Sequence, residues 1–222
     1  MVLLRNEKQT LPLSKAKTTV AIGPMAEVTG TLIGNYFGQI CPDSYDEHGR
    51  ETFDCVQTLA AALNTSATGQ VTTVPGLPNV LSNSTAGFPA AIAAAKAAEQ
   101  VVLYLGIDGS VEGEGRDRHF IGLPPTQLEL AKAVLAACPQ KPVVVVLING
   151  GQLAIDWLAQ HAPAIIEAWY PGIYGGEAVA RAVFGDDNRF GKTPVTIYGV
   201  GVLEELNMLN FDMGAGAGRS YR

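Results

Sequence analysis

The sequence predicts an α/β fold: a mostly parallel sheet flanked by helices on both faces. Three observations predict it. Short apolar runs alternate with segments whose apolar residues recur at helical spacing. Two of the runs, over residues 101–106 and 142–148, are apolar almost throughout rather than at every second position. The connections between segments are short. A strand with one wet face alternates apolar and polar residues, so an unbroken apolar run asks for cover on both faces, as in a parallel sheet. Alternation with short connections implies right-handed βαβ crossovers.

In chain order, residues 18–22 form a short apolar run closed by Gly23-Pro24, a buried strand and turn. Residues 35–51 are rich in Gly, Pro, Asp and Tyr and read as irregular surface. Helical spacing follows over 53–63, then a strand over 71–74. An Ala-rich helix over 88–100 runs into the strand 101–106, and a polar loop over 107–119 precedes a helix started by Pro125 and reaching Ala137. Next come a strand over 142–148, a short helix over 153–160, and a strand over 164–168 ending in Trp169-Tyr170-Pro171-Gly172. A helix over 177–184 is closed by Gly185, and a last strand is expected over 193–197. The tail, 204–218, carries Met and Gly without periodicity. No repeat or linker interrupts the pattern, so a single domain over 1–222 is expected.

Composition narrows the function classes. Hydrophobic residues make up 47% of the chain, enough for a packed core. The net charge is -6 and no Lys or Arg run occurs, which argues against nucleic acid or an anionic membrane as partner. No apolar stretch approaches the roughly 20 residues that span a bilayer. Cys41, Cys55 and Cys138 lack metal-ligand spacing, and no metal site is expected. Cys41 and Cys55 flank one polar segment and could close a loop in an oxidising compartment; Cys138 reads as a buried small hydrophobe. Asn64-Thr65-Ser66 and Asn83-Ser84-Thr85 are glycan sequons. Residues 1–5 lack the pattern of a signal peptide.

In sheets of this kind, ligand groups collect on loops beyond the C-terminal strand ends. The loop 106–118 is the richest in chemistry, with Asp108, Glu112, Glu114 and Asp117, Arg116 and Arg118, and four glycines. Glycines allow close approach and positive φ; carboxylates suit proton transfer or hydrogen bonds to hydroxyl groups. A glycosidase needs two carboxyls, one to protonate the departing oxygen and one to attack or to activate water. The plainer reading is a solvated charged loop, with Asp117 and Arg118 pairing to hold its shape. His119, a lone histidine at a loop-helix junction, reads more readily as a packing residue than as a base.

The loop and the Gly122-Leu123-Pro124-Pro125-Thr126-Gln127 that follows resemble the Glu-x-x-Asp-Arg, Leu-Pro, Gln signature of family 3 glycoside hydrolases. The likeness extends along the chain: Ala21-Ile22-Gly23-Pro24, Leu32-Ile33-Gly34-Asn35-Tyr36-Phe37-Gly38, Asn149-Gly150-Gly151, Trp169-Tyr170-Pro171-Gly172 and Pro194-Val195-Thr196 occur in the family's order. The ending, 208–222, is similar to that of xylosidase-like members, as is the Glu112-x-Glu114 doublet. The resemblance implies the α/β sandwich of the family's C-terminal domain. It also implies retaining, exo-acting hydrolysis of terminal β-linked sugars of oligosaccharide or aryl glycosides, without a cofactor, by a secreted enzyme of xylan degradation. In that family an aspartate nucleophile sits on an N-terminal barrel that has no counterpart here, so the isolated chain is expected to be inactive. Glu114 matches the acid/base glutamate and Glu112 is the runner-up; Asp108, Arg116, Arg118 and Trp169 are expected to line the sugar site or brace it.

Two other readings compete. A nucleotide-binding protein would also place a glycine-rich loop after a strand, but these glycines do not fit G-x-G-x-x-G, and four acids repel a pyrophosphate. A non-catalytic carbohydrate-binding domain would use Trp169, Tyr170, Tyr174 and the acidic loop to hold a sugar without cleaving it.

Overall fold

The computed structural model describes residues 1–222 except 208, 217 and 220–222, so part of the xylosidase-like ending lies outside the described residues. The elements are β1 (Val2–Asn6), β2 (Thr19–Ile22), α1 (Gly30–Ile33), α2 (Leu59–Ser66), β3 (Val71–Val74), α3 (Phe88–Ala97), β4 (Gln100–Gly106), α4 (Pro125–Ala137), β5 (Val143–Ile148), α5 (Asp156–His161), β6 (Ala164–Glu167), α6 (Gly175–Phe184) and α7 (Val202–Glu205).

Six strands form one sheet in the order β1-β6-β5-β4-β2-β3; β1 is antiparallel to β6 and every other pairing is parallel. Every residue of β4 and β5 is buried, because alternate side chains enter two separate cores. On one face Val102, Tyr104, Val144 and Val146 meet Leu59 and Leu63 of α2 and Val179 and Val183 of α6. On the other, Val101, Leu103, Val143 and Val145 meet Ala91 and Ala95 of α3 and Leu130 and Val134 of α4. Each large aliphatic side chain buried this way contributes about 2 kcal/mol. The mostly parallel sheet with helices on both faces is therefore observed, and it directs the loops after β2, β4, β5 and β6 to one edge.

Four local expectations are corrected. Residues 193–197 form no strand: β1, which the sequence reading did not anticipate, occupies the open edge of β6. The helix expected over 53–63 starts only at Leu59. Phe53 has a left-handed φ of 57°, Cys55 is tied to Cys41, and the Thr58 hydroxyl caps the helix by accepting the Ala61 N–H. The helix expected from 153 begins at Asp156, because the Ala154 N–H bonds the Ile121 carbonyl instead of a helical partner. The helix expected over 88–100 stops at Ala97, and Gln100 already belongs to β4. Cys138 is buried and free.

Candidate active site

The acidic loop leaves β4 at Gly106, where a Cβ would lie 1.8 Å from the Ile148 carbonyl oxygen, so only glycine lets the strand end press against β5. Gln127 of α4, fully buried, clamps this point. Its Nε2 donates to the carbonyls of Gly106 (2.8 Å) and Val80 (2.9 Å), and its Oε1 accepts the Gly106 N–H at 2.9 Å. Asp108 then turns the chain: its Oδ1 accepts the Ser110 N–H at 2.9 Å and the Ser110 hydroxyl at 2.5 Å.

Further out, Gly113 and Arg116 exchange backbone hydrogen bonds of 3.1 and 3.0 Å, which leaves Glu114 and Gly115 as the two central residues of a tight turn. Gly115 has a φ of 71°, the positive angle that the second central position of a type II turn demands. Glu114 thus stands at the apex with its carboxyl exposed. The Tyr36 hydroxyl donates to Glu114 Oε2 at 2.6 Å, and this bond pushes the tyrosine's own ionisation upward. Among the described residues Glu114 takes part in no ion pair.

Glu112, two residues earlier, is pinned. Its Oε2 lies 2.5 Å from Arg118 Nε, and its Oε1 accepts the Gly151 N–H at 2.7 Å. Arg118 also donates to the carbonyls of Gln152 (2.6 Å) and Ile121 (3.3 Å). The partner of Arg118 is therefore Glu112 rather than the expected Asp117. Arg116 reaches back to the Ser110 carbonyl at 2.8 Å and braces the turn against the loop's own base.

A cavity of about 700 Å³ opens at this edge, bounded among others by Asn35, Glu112, Glu114, Arg116, Arg118 and Tyr170. The structure thus brings four of the sequence-predicted site residues together. Asp108 and Trp169 do not line this cavity. Asp108 serves the Ser110 turn, whereas Trp169, with a φ of 57°, lines a neighbouring cavity of about 720 Å³ with Asn149, Val195 and Tyr198. Gly150 and Tyr170 line both. His119 and Asp117 border the first cavity and are exposed. Sequence reasoning gave no role to Asn35 or Tyr36; the one signal for them was an exposed-type aromatic between glycines, Gly34-Asn35-Tyr36-Phe37-Gly38. Among the described residues, no group of His, Cys, Asp and Glu is arranged to hold a metal ion, and no helix is long and apolar enough to cross a membrane.

Chemically, the arrangement offers one carboxyl that meets no cation among the described residues, is touched by a phenol and is open to a cavity. Beside it stands a second carboxylate that cannot swing. The profile of the glycosyl hydrolase family 3 C-terminal domain matches residues 1–216. The chain belongs to glycoside hydrolase family 3. As a family 3 domain it is 37% identical over its whole length to β-D-xylosidase 1 of Arabidopsis thaliana, and 37% identical to a probable exo-1,4-β-xylosidase of Neosartorya fischeri. Among solved structures it is similar to a family 3 exo-β-xylosidase in complex with a xylobiose aziridine activity-based probe, with a TM-score of 0.82, 33% identity and 96% of this chain covered. A β-glucosidase from Listeria innocua in complex with isofagomine gives a TM-score of 0.71 at 28% identity over 84% of the chain. The family 3 domain described here spans 28% and 27% of the two xylosidase sequences, and 26% and 24% of the two structures.

Proposed function

We propose that this domain supplies the general acid/base of a retaining, exo-acting β-glycosidase of β-xylosidase type, and that Glu114 is that residue. The observation that carries the reading is the contrast inside the loop. Glu112 is held by Arg118 and the Gly151 N–H, while Glu114 stands at the turn's apex, unpaired by any cation among the described residues and open to the cavity. A group that must give up a proton and later take one back cannot be locked as a carboxylate by a guanidinium.

In the first step the Glu114 carboxyl gives its proton to the glycosidic oxygen as the bond from that oxygen to the anomeric carbon breaks. A carboxylate of a partnering barrel domain attacks the same carbon and forms the glycosyl-enzyme. In the second step Glu114, now ionised, takes a proton from the water that displaces this carboxylate. Retaining enzymes hold their two carboxyls about 5–5.5 Å apart, so on this reading the chain alone is inactive and the barrel completes the site. The scheme calls for no cofactor. A terminal β-linked xylosyl unit, as at the end of a xylan chain, is the substrate that the xylosidase relatives favour. The Cys41–Cys55 disulfide supports a place of action in an oxidising compartment, outside the cell.

The test compares hydrolysis of a chromogenic β-xyloside by the chain alone, and by the chain mixed with or joined to a family barrel domain. Activity is expected only with the barrel. There, Glu114→Gln should lower kcat/KM steeply for substrates with poor leaving groups and far less for those whose leaving groups need no protonation, while the loss of the base in the second step slows kcat for both. If Glu114→Gln stays active while Glu112→Gln shows that pattern, the acid/base is Glu112. A sugar that binds the chain tightly while no barrel confers hydrolysis would favour the non-catalytic carbohydrate-binding reading, with Trp169 and Tyr170 of the second cavity as its walls.

A further inference from the structure

The Tyr36 hydroxyl reaches Glu114 Oε2 across 78 residues of sequence, yet Tyr36 itself is 82% exposed. An exposed ring gains little from burial, so the backbone beneath must fix its place. That backbone is in the left-handed region, with a φ of 55°, which a tyrosine adopts only where its surroundings enforce it. The surroundings do so at both ends. Upstream, Leu32 is fully buried and its carbonyl accepts the Gly172 N–H at 2.7 Å. Downstream, Phe37 meets Phe53 edge-on at 5.2 Å, the Ile40 N–H bonds Glu51 Oε1 at 2.6 Å, and buried Cys41 is joined to Cys55. Residues 34–41 form an arch over the acidic loop, and Tyr36 is the point where the arch touches it.

We propose that Tyr36 is a positioning residue for Glu114, holding its carboxyl in one orientation through both proton transfers, and that the Cys41–Cys55 disulfide keeps the arch in place. The inference rests on the reading of Glu114 as acid/base. A phenol suits this task where an arginine does not. It donates to Oε2 whether the carboxyl is ionised or carries its proton on Oε1, so one contact serves both states and leaves that proton for the substrate. A guanidinium donates only, and would hold the group ionised, as Arg118 holds Glu112.

The test has two arms. In the first, the tyrosines of this chain are titrated by NMR, with Tyr36→Phe identifying the Tyr36 resonance. Glu114 holds the Tyr36 proton, so Tyr36 should ionise at lower pH in Glu114→Gln; an unchanged titration overturns the proposal whatever the catalytic role of Glu114. In the second, the chain joined to its barrel partner is assayed with xylosides of poor and good leaving groups. Tyr36→Phe should lower kcat/KM about 10-fold for poor leaving groups, the loss of one hydrogen bond to the acid, and about 2-fold or less for good ones. The Cys41→Ser/Cys55→Ser variant should show the same split. An equal loss on all substrates means mere loosening and refutes the positioning role. If Glu114→Gln shows the leaving-group dependence and Tyr36→Phe does not, this inference alone fails. If Glu114→Gln lacks it, the proposed function fails first.

Discussion

Glu167 ends β6 fully buried, and replacing it with glutamine should stabilise the domain in a pH-dependent way. Its Oε1 accepts the Trp169 N–H at 3.2 Å, whereas its Oε2 and the Asn149 Oδ1 have no partner among the described residues. Burial pushes its carboxyl from an ordinary 4.5 up to about 7, with the Trp169 N–H opposing. The folded state therefore holds the proton more tightly than the unfolded one. Below about pH 4.5 both states are protonated and nothing is lost. As pH rises toward 7 the unfolded state releases its proton first, and stability falls. Above 7 the full difference, about 3 kcal/mol, is felt. Glutamine does not titrate, and its amide can donate to the Asn149 Oδ1. Urea denaturation of the wild type and Glu167→Gln between pH 4.5 and 8 should give curves that start close together and diverge to about 3 kcal/mol in favour of the variant. A difference independent of pH would refute the reasoning, because it would mean that Glu167 is ionised or solvated throughout.

Two further outcomes follow from the same geometry. The Tyr104 hydroxyl is fully buried without a partner among the described residues, and burial raises its ionisation, so Tyr104→Phe should raise stability by about 1 kcal/mol in thermal denaturation; destabilisation would reveal a partner for the hydroxyl. Glu112→Gln breaks the charge pair with Arg118 and should lower stability by about 2 kcal/mol. With the barrel present it should reduce turnover evenly across leaving groups, and a selective loss on poor ones would move the acid/base to Glu112.

The parts of the fold written in local pattern were legible. The runs in β4 and β5 are apolar almost throughout because both faces are covered. What local pattern could not show was decided across the chain. β1 has one buried residue in five and ends in Arg5 and Asn6, so its pairing with β6 is visible only once the edge is built. That pairing also takes the edge of β6, and 193–197, despite its branched residues, forms no strand. The helical spacing after Phe53 was real but overruled by a disulfide and a left-handed residue. In the site, Glu112 and Glu114 look alike in sequence. Their surroundings diverge because Arg118 and the Gly151 N–H, the latter 39 residues away, capture one of them, and Tyr36, 78 residues away, meets the other.

That divergence explains why so much charge sits on one loop. A proton donor exposed to a cavity needs a rigid base, since a freely moving carboxyl would lose the orientation that makes it effective. Here the backbone is fixed three times before the apex is reached: by Gln127 at Gly106, by Asp108 at Ser110, and by the Glu112–Arg118 pair against Gly151 and Gln152. Arg116 then ties the turn to Ser110. Three of the loop's six charged side chains, Asp108, Arg116 and Arg118, are thus spent on backbone groups, and Glu112 on Arg118 and Gly151. Glu114 stands apart from them: among the described residues its carboxyl meets the Tyr36 hydroxyl and takes part in no ion pair.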